Sequence, residues 1–281
     1  MKNIKNTTTL NNGIEMPWLG FGTYNTGDKK TVINAVKTAL KIGYRHIDTA
    51  SFYNNEDAIC DAIKESEIPR NEIFLTSKVW NSDQGYENAL KAFKVSLKKL
   101  DTDYLDLYII HWPQPLNKET WKALEKLYKD GYVRAIGVSN FTIKHLENLI
   151  STAEIAPMVN QIEFHPQLVQ YELMKFCQKH DIQIEAWSPL MRGKVFEMEP
   201  LKALSKKYSK SISQIVLRWN LQMGVVTIPK SSNSLRIKEN TDIFDFQINK
   251  EDMLKIKKLN TLTRLGLNPE EVYNHPKLQI E

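Results

Sequence analysis

Apolar positions along the chain follow two alternating rhythms. Over residues 30–42, Val32, Ile33, Val36 and Leu40 recur at the spacing of one helix face. The run at 46–49 is too short for a helix and reads as a buried strand. The alternation then repeats: helix 55–66, strand 73–79, helix 85–100, strand 105–111, helix 118–129, strand 135–139 and helix 142–151. Strand 159–164 leads to helix 170–180, and strand 183–187 to a looser helix at 199–208. Ser211 opens a helix to 223, and strand 225–228 follows. Helices at 235–244 and 250–259 precede a tail marked by Gly266, Pro269 and Pro276. Thr142 has the chemistry of a helix N-cap and Gly131 that of a C-terminal cap.

The start of the chain departs from this rhythm. Residues 8–17 alternate around Asn11-Asn12-Gly13, a hairpin signal, and such a hairpin could plug one end of a barrel. Leu19-Gly20-Phe21-Gly22-Thr23-Tyr24 reads as the first strand of the repeat. Its glycines lack the G-x-G-x-x-G spacing, so they predict close backbone approach rather than a phosphate loop. About eight strand–helix units result, the count of a (β/α)8 TIM barrel, here with an N-terminal β-hairpin plug and extra helices. Several strands are apolar almost without alternation, as expected where both faces are covered. An open doubly wound sheet would announce a glycine-rich turn after its first strand. No linker divides the chain, which predicts one domain over 1–281.

Composition narrows the class. Hydrophobic residues make up 42% and charged residues 25%, enough for a full core under a soluble surface. The net charge of +5 is scattered along helix-like stretches, which points to solvated faces rather than a nucleic-acid surface. It leaves room for a basic pocket that takes a phosphorylated cofactor. Cys60 and Cys177 sit in separate helices without metal-type spacing, so no metal and no disulfide is expected, as in a reducing cytosol. No apolar h-region follows Met1-Lys2-Asn3-Ile4-Lys5, and no run approaches the ~20 residues of a membrane span. The expectation is a cytoplasmic protein without a membrane partner.

Candidate chemistry collects at strand ends. Asp48 ends the second strand, Lys78 the third and His111 the fourth, with Tyr53 in the loop after Asp48. Ser139 and Asn140 close the fifth, Gln161 lies in the sixth, Trp187-Ser188 ends the seventh, and Lys230-Ser231 the eighth. In a barrel these ends share one rim, where active sites lie. A phenol ordinarily titrates near ~10. An ammonium at ~4 Å favours its ionised form by up to ~4 kcal/mol at an effective dielectric of ~20, and burial opposes that. The expectation is a net lowering, with Tyr53 a general acid toward a carbonyl oxygen and His111 orienting that carbonyl. No Ser/His/Asp order, paired carboxylates or metal cluster competes.

These residues carry a resemblance. From about Thr8 to Pro269 the chain is similar to the aldo-keto reductase family. The similarity rests on 19–24, on Gly43-Tyr44-Arg45-His46-Ile47-Asp48-Thr49-Ala50, on 105–113 and on Gly137-Val138-Ser139-Asn140-Phe141. It continues through Asn160-Gln161-Ile162-Glu163-Phe164-His165-Pro166 and Ile228-Pro229-Lys230-Ser231. Its short loops suggest the microbial branch of diketogluconate, glyoxal/methylglyoxal and prostaglandin F reductases. The resemblance implies NADPH-dependent reduction of aldehydes and ketones to alcohols. Tyr53 would be the acid, Lys78 its modulator, Asp48 the lysine's partner and His111 the orienting group. Ser139, Asn140 and Gln161 would hold the nicotinamide carboxamide, with Trp187 stacked on the ring.

Thr23, Ser188 and Leu190 are further cofactor contacts by the same resemblance. Lys230, Ser231 and Arg236 would take the 2′-phosphate, helped by a helix N-terminus, and Asn240 the adenine. Tyr24, Trp80 and Trp112 would line an open substrate pocket. Ser232-Asn233-Ser234 and Cys60 depart from the common family pattern. A monomer acting on a small carbonyl compound, with no nucleic-acid partner, is expected. The rival readings are a nucleotide-binding, catalytically silent barrel acting as a structural or regulatory subunit, and a barrel isomerase or lyase without nicotinamide.

Overall fold

The computed structural model describes Met1 and residues 3–272, so Pro276 lies outside the described residues. Strands β1 (Thr7–Thr9) and β2 (Glu15–Pro17) pair antiparallel in the hairpin the Asn-Asn-Gly signal predicts. Gly13 supplies the positive φ of the turn, 83°. The Thr8 hydroxyl donates to Gln183 Oε1 at 3.0 Å, and the Asn12 amide donates to the Arg134 carbonyl at 2.9 Å. Both acceptors stand near the starts of later strands, so the hairpin plugs the N-terminal end of the sheet.

Eight parallel strands follow: β3 (Phe21–Gly22), β4 (His46–Asp48), β5 (Phe74–Val79), β6 (Leu105–Ile110), β7 (Val133–Ser139), β8 (Val159–Glu163), β9 (Gln183–Trp187) and β10 (Val226–Thr227). Each neighbours the next in chain order. The helices between and after them are α1 (Lys29–Ile42), α2 (Glu56–Ser66), α3 (Tyr86–Leu100), α4 (Asn117–Lys129), α5 (Ile143–Ile150), α6 (Tyr171–Lys179), α7 (Glu199–Tyr208), α8 (Ile212–Gln222), α9 (Ser234–Glu239) and α10 (Lys250–Lys257). Every residue of β5, β6 and β8 is buried, their polar side chains included, as in strands covered on both faces.

The ends of this sheet meet. Leu19 bridges Thr227 in parallel, the Gly20 amide donates to the Thr227 carbonyl at 2.9 Å, and the Gly22 amide donates to the Pro229 carbonyl at 3.2 Å. The eight-stranded barrel is thereby closed, and the seam explains the glycines. A Cβ on Gly20 would lie 2.5 Å from His46 Nδ1, and one on Gly22 2.8 Å from the Ile228 carbonyl oxygen. Close approach is what the spacing predicted. The seam strands are shorter than 19–24 and 225–228, because much of their pairing runs through single bonds rather than a continuous ladder.

Local cap signals hold at several helix ends. Thr142 and Ser211 each form a capping box, with His145 and Gln214 as the reciprocal partners. Gly131 follows α4 with φ 80°. Helix α9 ends five residues before the predicted 244, at Glu239. The Lys238 carbonyl is taken by both the amide and the hydroxyl of Thr241. The Glu239 carbonyl is taken by Asp242 N and Gln214 Nε2. These tight bonds turn the chain before another helical turn can form. Cys60 and Cys177 are buried free thiols. Among the described residues no helix is long and apolar enough to cross a membrane.

The seam yields a stability test. Gly22→Ala presses a Cβ against backbone that cannot swing aside, so it should lower unfolding free energy by about 1–3 kcal/mol. A urea titration checks this, and an unchanged midpoint would mean that the seam yields freely.

Candidate active site

Strand parity decides which side chains face the barrel interior. His46 and Asp48 are two apart on β4 and pair with Phe74 and Thr76 on β5. Lys78 lies two beyond Thr76 and pairs with Ile109, and His111 is two beyond that. Gln161 pairs with Ser139 on one side and Glu185 on the other. Register partners and i+2 residues share a face. Asp48, Thr76, Lys78, His111, Ser139, Gln161 and Glu185 therefore converge inside the barrel.

Lys78 is the centre of the group. Its ammonium donates to Asp48 Oδ1 at 2.7 Å, to Asp48 Oδ2 at 2.8 Å and to the Thr49 carbonyl at 2.8 Å. The Tyr53 hydroxyl stands 3.3 Å away. Lys78 has no solvent exposure and Asp48 almost none. Burial opposes the ammonium, but Asp48 and Tyr53 together outweigh it and hold Lys78 above its ordinary value. Asp48 Oδ2 also accepts from Gln161 Nε2 at 2.7 Å.

The phenol behaves differently from expectation. Desolvation pushes Tyr53 up to about 12, more than the neighbouring ammonium lowers it. The sequence names the cation but not how dry the hydroxyl is. Tyr53 therefore holds its proton at neutral pH, as a donor must. Burial, and then the charge on Lys78, push His111 well below its ordinary value, so its imidazole is neutral. The Tyr53 and His111 rings meet edge to face at 5.6 Å, with Trp80 5.0 Å from the same imidazole.

Several of the other predicted residues already have partners. The Asn140 amide donates to the His111 carbonyl at 2.9 Å, and Asn140 Oδ1 accepts from Trp187 Nε1 at 2.8 Å. Asn140 holds φ 65°, a left-handed conformation that asparagine tolerates. The Ser139 hydroxyl donates to the Gln161 carbonyl at 2.8 Å. Thr23 is wholly buried, and its hydroxyl donates to the Asp48 carbonyl at 2.8 Å, which braces the strand end. Ser188 and Leu190 are half-buried on the loop after β9.

Lys230 is exposed before α9, and Arg236 is exposed in its first turn; neither has an ion pair among the described residues. Asn240 follows, buried. Contrary to expectation, this short helix has little free N-terminus to offer. Asn233 Oδ1 already accepts the amides of Leu235 and Arg236. Positive charge there comes from side chains.

The pocket is also less open than expected. Glu163, braced by His165 at 3.0 Å, accepts the amides of Leu265 and Gly266 and anchors the tail. Leu267 and Val272 then pack with Trp80 and Trp112 in one apolar cluster with Phe52 and Trp187. Tyr24 remains exposed, 5.0 Å from the Tyr53 ring. A cleft of about 460 Å³ opens beside them, lined by Asn25, Lys29, Asn54 and Asn55 among others. Glu185 escaped notice in the sequence, although a lone carboxylate between Ile184 and Ala186 was a visible signal.

Comparison with known proteins is consistent over most of the chain. The model of the Aldo/keto reductase family matches residues 18–261. Glyoxal reductase of Bacillus subtilis (strain 168) is 56% identical over 270 residues, 96% of this chain and 98% of that protein. A crystal structure of an aldo/keto reductase from Brucella melitensis superposes with a TM-score of 0.87 at 53% identity, covering 90% of this chain and 99% of that one. An aldo-keto reductase of Bombyx mori in complex with NADP gives a TM-score of 0.90 at 35% identity, covering 95% and 97%.

Removing one member of the buried pair should cost much more than removing both. Lys78→Met should lose about 3–5 kcal/mol of stability, and adding Asp48→Asn should restore part of it. Denaturant unfolding of the three variants reads this, and strictly additive losses would refute the coupling.

Proposed function

The chain belongs to the aldo/keto reductase family, and from that premise we propose that it reduces aldehydes and ketones to alcohols with NADPH. The observation that carries the reading is the protonated Tyr53 hydroxyl facing a Lys78 ammonium fixed by Asp48, with neutral His111 alongside.

The residues present fit such a dinucleotide. Gln161 Oε1 accepts no hydrogen bond from the described residues, so it offers an acceptor to a carboxamide. Asn140 and Ser139 stand beside it, and the Trp187 indole offers an apolar surface. Thr23, Ser188 and Leu190 would be further contacts to the dinucleotide. Lys230, Ser231 and Arg236 would meet a 2′-phosphate, with Asn240 near the adenine. NADPH, when bound, supplies a hydride to the carbonyl carbon.

The chain's own residues manage the oxygen. His111 donates from its neutral imidazole and orients the carbonyl. Tyr53 transfers its hydroxyl proton to the developing alkoxide, and the resulting phenolate faces Lys78. At 3.3 Å and an effective dielectric of ~20 that attraction is of order 5 kcal/mol before desolvation is counted. Trp80, Trp112 and the tail limit water on one side.

Kinship with the glyoxal reductase favours small 2-oxoaldehydes, and the polar cleft beside Tyr24 suits them. The chain acts, on this reading, as one domain over 1–281, as a cytoplasmic monomer without nucleic-acid or membrane partners. The scattered charge favours solvated faces over a nucleic-acid surface. No observation favours a catalytically silent barrel, since Asp48, Tyr53, Lys78 and His111 are all present and in contact.

Two measurements test the reading. Tyr53→Phe should lower the rate of NADPH oxidation at 340 nm with methylglyoxal or 4-nitrobenzaldehyde at least ~10²-fold while leaving NADPH affinity intact. Retained turnover would assign the proton to another group. Arg236→Ala should weaken NADPH roughly 10–100-fold, the worth of a charge-assisted hydrogen bond, and leave NADH almost unaffected. Equal weakening of both would remove the 2′-phosphate role.

A further inference from the structure

One buried carboxylate in the barrel has no part in the chemistry above. Glu185 is the middle residue of β9, fully buried, and the register partner of Gln161. Its Oε2 accepts from Gln161 Nε2 at 2.8 Å, the same nitrogen that donates to Asp48 Oδ2 at 2.7 Å. Its Oε1 lies 3.5 Å from His46 Nε2 and has no hydrogen bond among the described residues. His46 Nε2 also meets the Thr76 hydroxyl at 3.3 Å.

We propose that Glu185 is a positioning residue. Together with Asp48 it holds the Gln161 amide with its nitrogen turned into the barrel, and so presents Oε1 to the nicotinamide carboxamide. This rests on the function proposed above. The physical reason is the match of donors to acceptors. An amide nitrogen has two hydrogens, and here two carboxyl oxygens take them. A flipped amide would set its oxygen against both. With Glu185 gone, only Asp48 would oppose the flip, and Asp48 is already engaged with Lys78.

The charges around Glu185 fit the role. Asp48 and His46 face it from β4, Lys78 from β5 and Gln161 from β8, while its β10 partner Val226 is apolar. Burial, and then Asp48, push the Glu185 carboxyl up to about 8. Burial pushes His46 down to about 3. Both are therefore neutral near pH 7. A protonated Oε1 can donate toward His46 while Oε2 accepts from Gln161, and Glu185 then adds no second anion beside Asp48. Glutamine at 185 reproduces that donor and acceptor; alanine or leucine does not.

The test compares two ligands by fluorescence titration: NADPH, and 2′-phospho-ADP-ribose, which lacks the nicotinamide. Glu185→Ala should raise the NADPH Kd about tenfold, the scale of one neutral hydrogen bond, and leave the truncated ligand unchanged. Glu185→Gln should stay within about threefold of wild type. In a Gln161→Ala background, Glu185→Ala should add less than about twofold, because the residue acts through that amide. Glu185→Leu replaces alanine if the smaller side chain prevents folding. Equal weakening of both ligands, failure of Glu185→Gln to rescue, or full additivity with Gln161→Ala would each overturn the role. Wild-type protein that binds 2′-phospho-ADP-ribose but not NADPH would also overturn it. Wild-type protein that binds neither would overturn the dinucleotide reading and this role with it.

Discussion

A lysine ammonium sealed from water is the constraint on which the site depends. Lys78 has no exposure, and a charge so placed costs several kcal/mol unless it is paired and fully hydrogen-bonded. Asp48 and the Thr49 carbonyl meet it from β4 and the turn after it, next to its own strand. Asp48 in turn is braced by Gln161, which comes from β8, four strands away around the ring. Only a closed barrel brings these together. The glycine seam between β3 and β10 is thus a condition of the site as well as of the fold.

Burial around that pair sets the remaining protonation states. With one cation and one anion balanced, each nearby titratable group is pushed toward its neutral form by burial. His46 and His111 lose their proton, while Tyr53 and Glu185 keep theirs. A neutral phenol beside an ammonium is a proton donor whose product anion already has a counter-charge in place. The cost of the buried pair is spent on this arrangement, and in that sense stability and chemistry share one device.

Much of this was legible in the chain. Apolar runs ending in Asp48, Lys78 and His111 announced both the strands and the rim, because a polar type at the end of a buried strand has few structural uses. Other parts depended on tertiary facts. The phenol was expected to be lowered and is raised, since local sequence names the cation but not the dryness of the hydroxyl. Glu185 was hidden because its partner is fixed by β8–β9 register rather than by neighbouring residues. The early end of α9 depends on Thr241, Asp242 and Gln214 capturing carbonyls, which helical periodicity does not encode. The cover that Leu267 and Val272 place over Trp80 and Trp112 comes from an irregular tail held by Glu163.

The most direct test follows the hydrogen itself. NADPH carrying deuterium at the transferring C4 position is mixed with protein and methylglyoxal, and the product is read by NMR. Deuterium on the new carbinol carbon, with stoichiometric NADP formed, is the result predicted for a barrel that stages hydride and proton transfer at Tyr53. An unlabelled product formed without loss of NADPH would contradict it, and would recast the buried Lys78–Asp48 pair as part of an isomerase or lyase site.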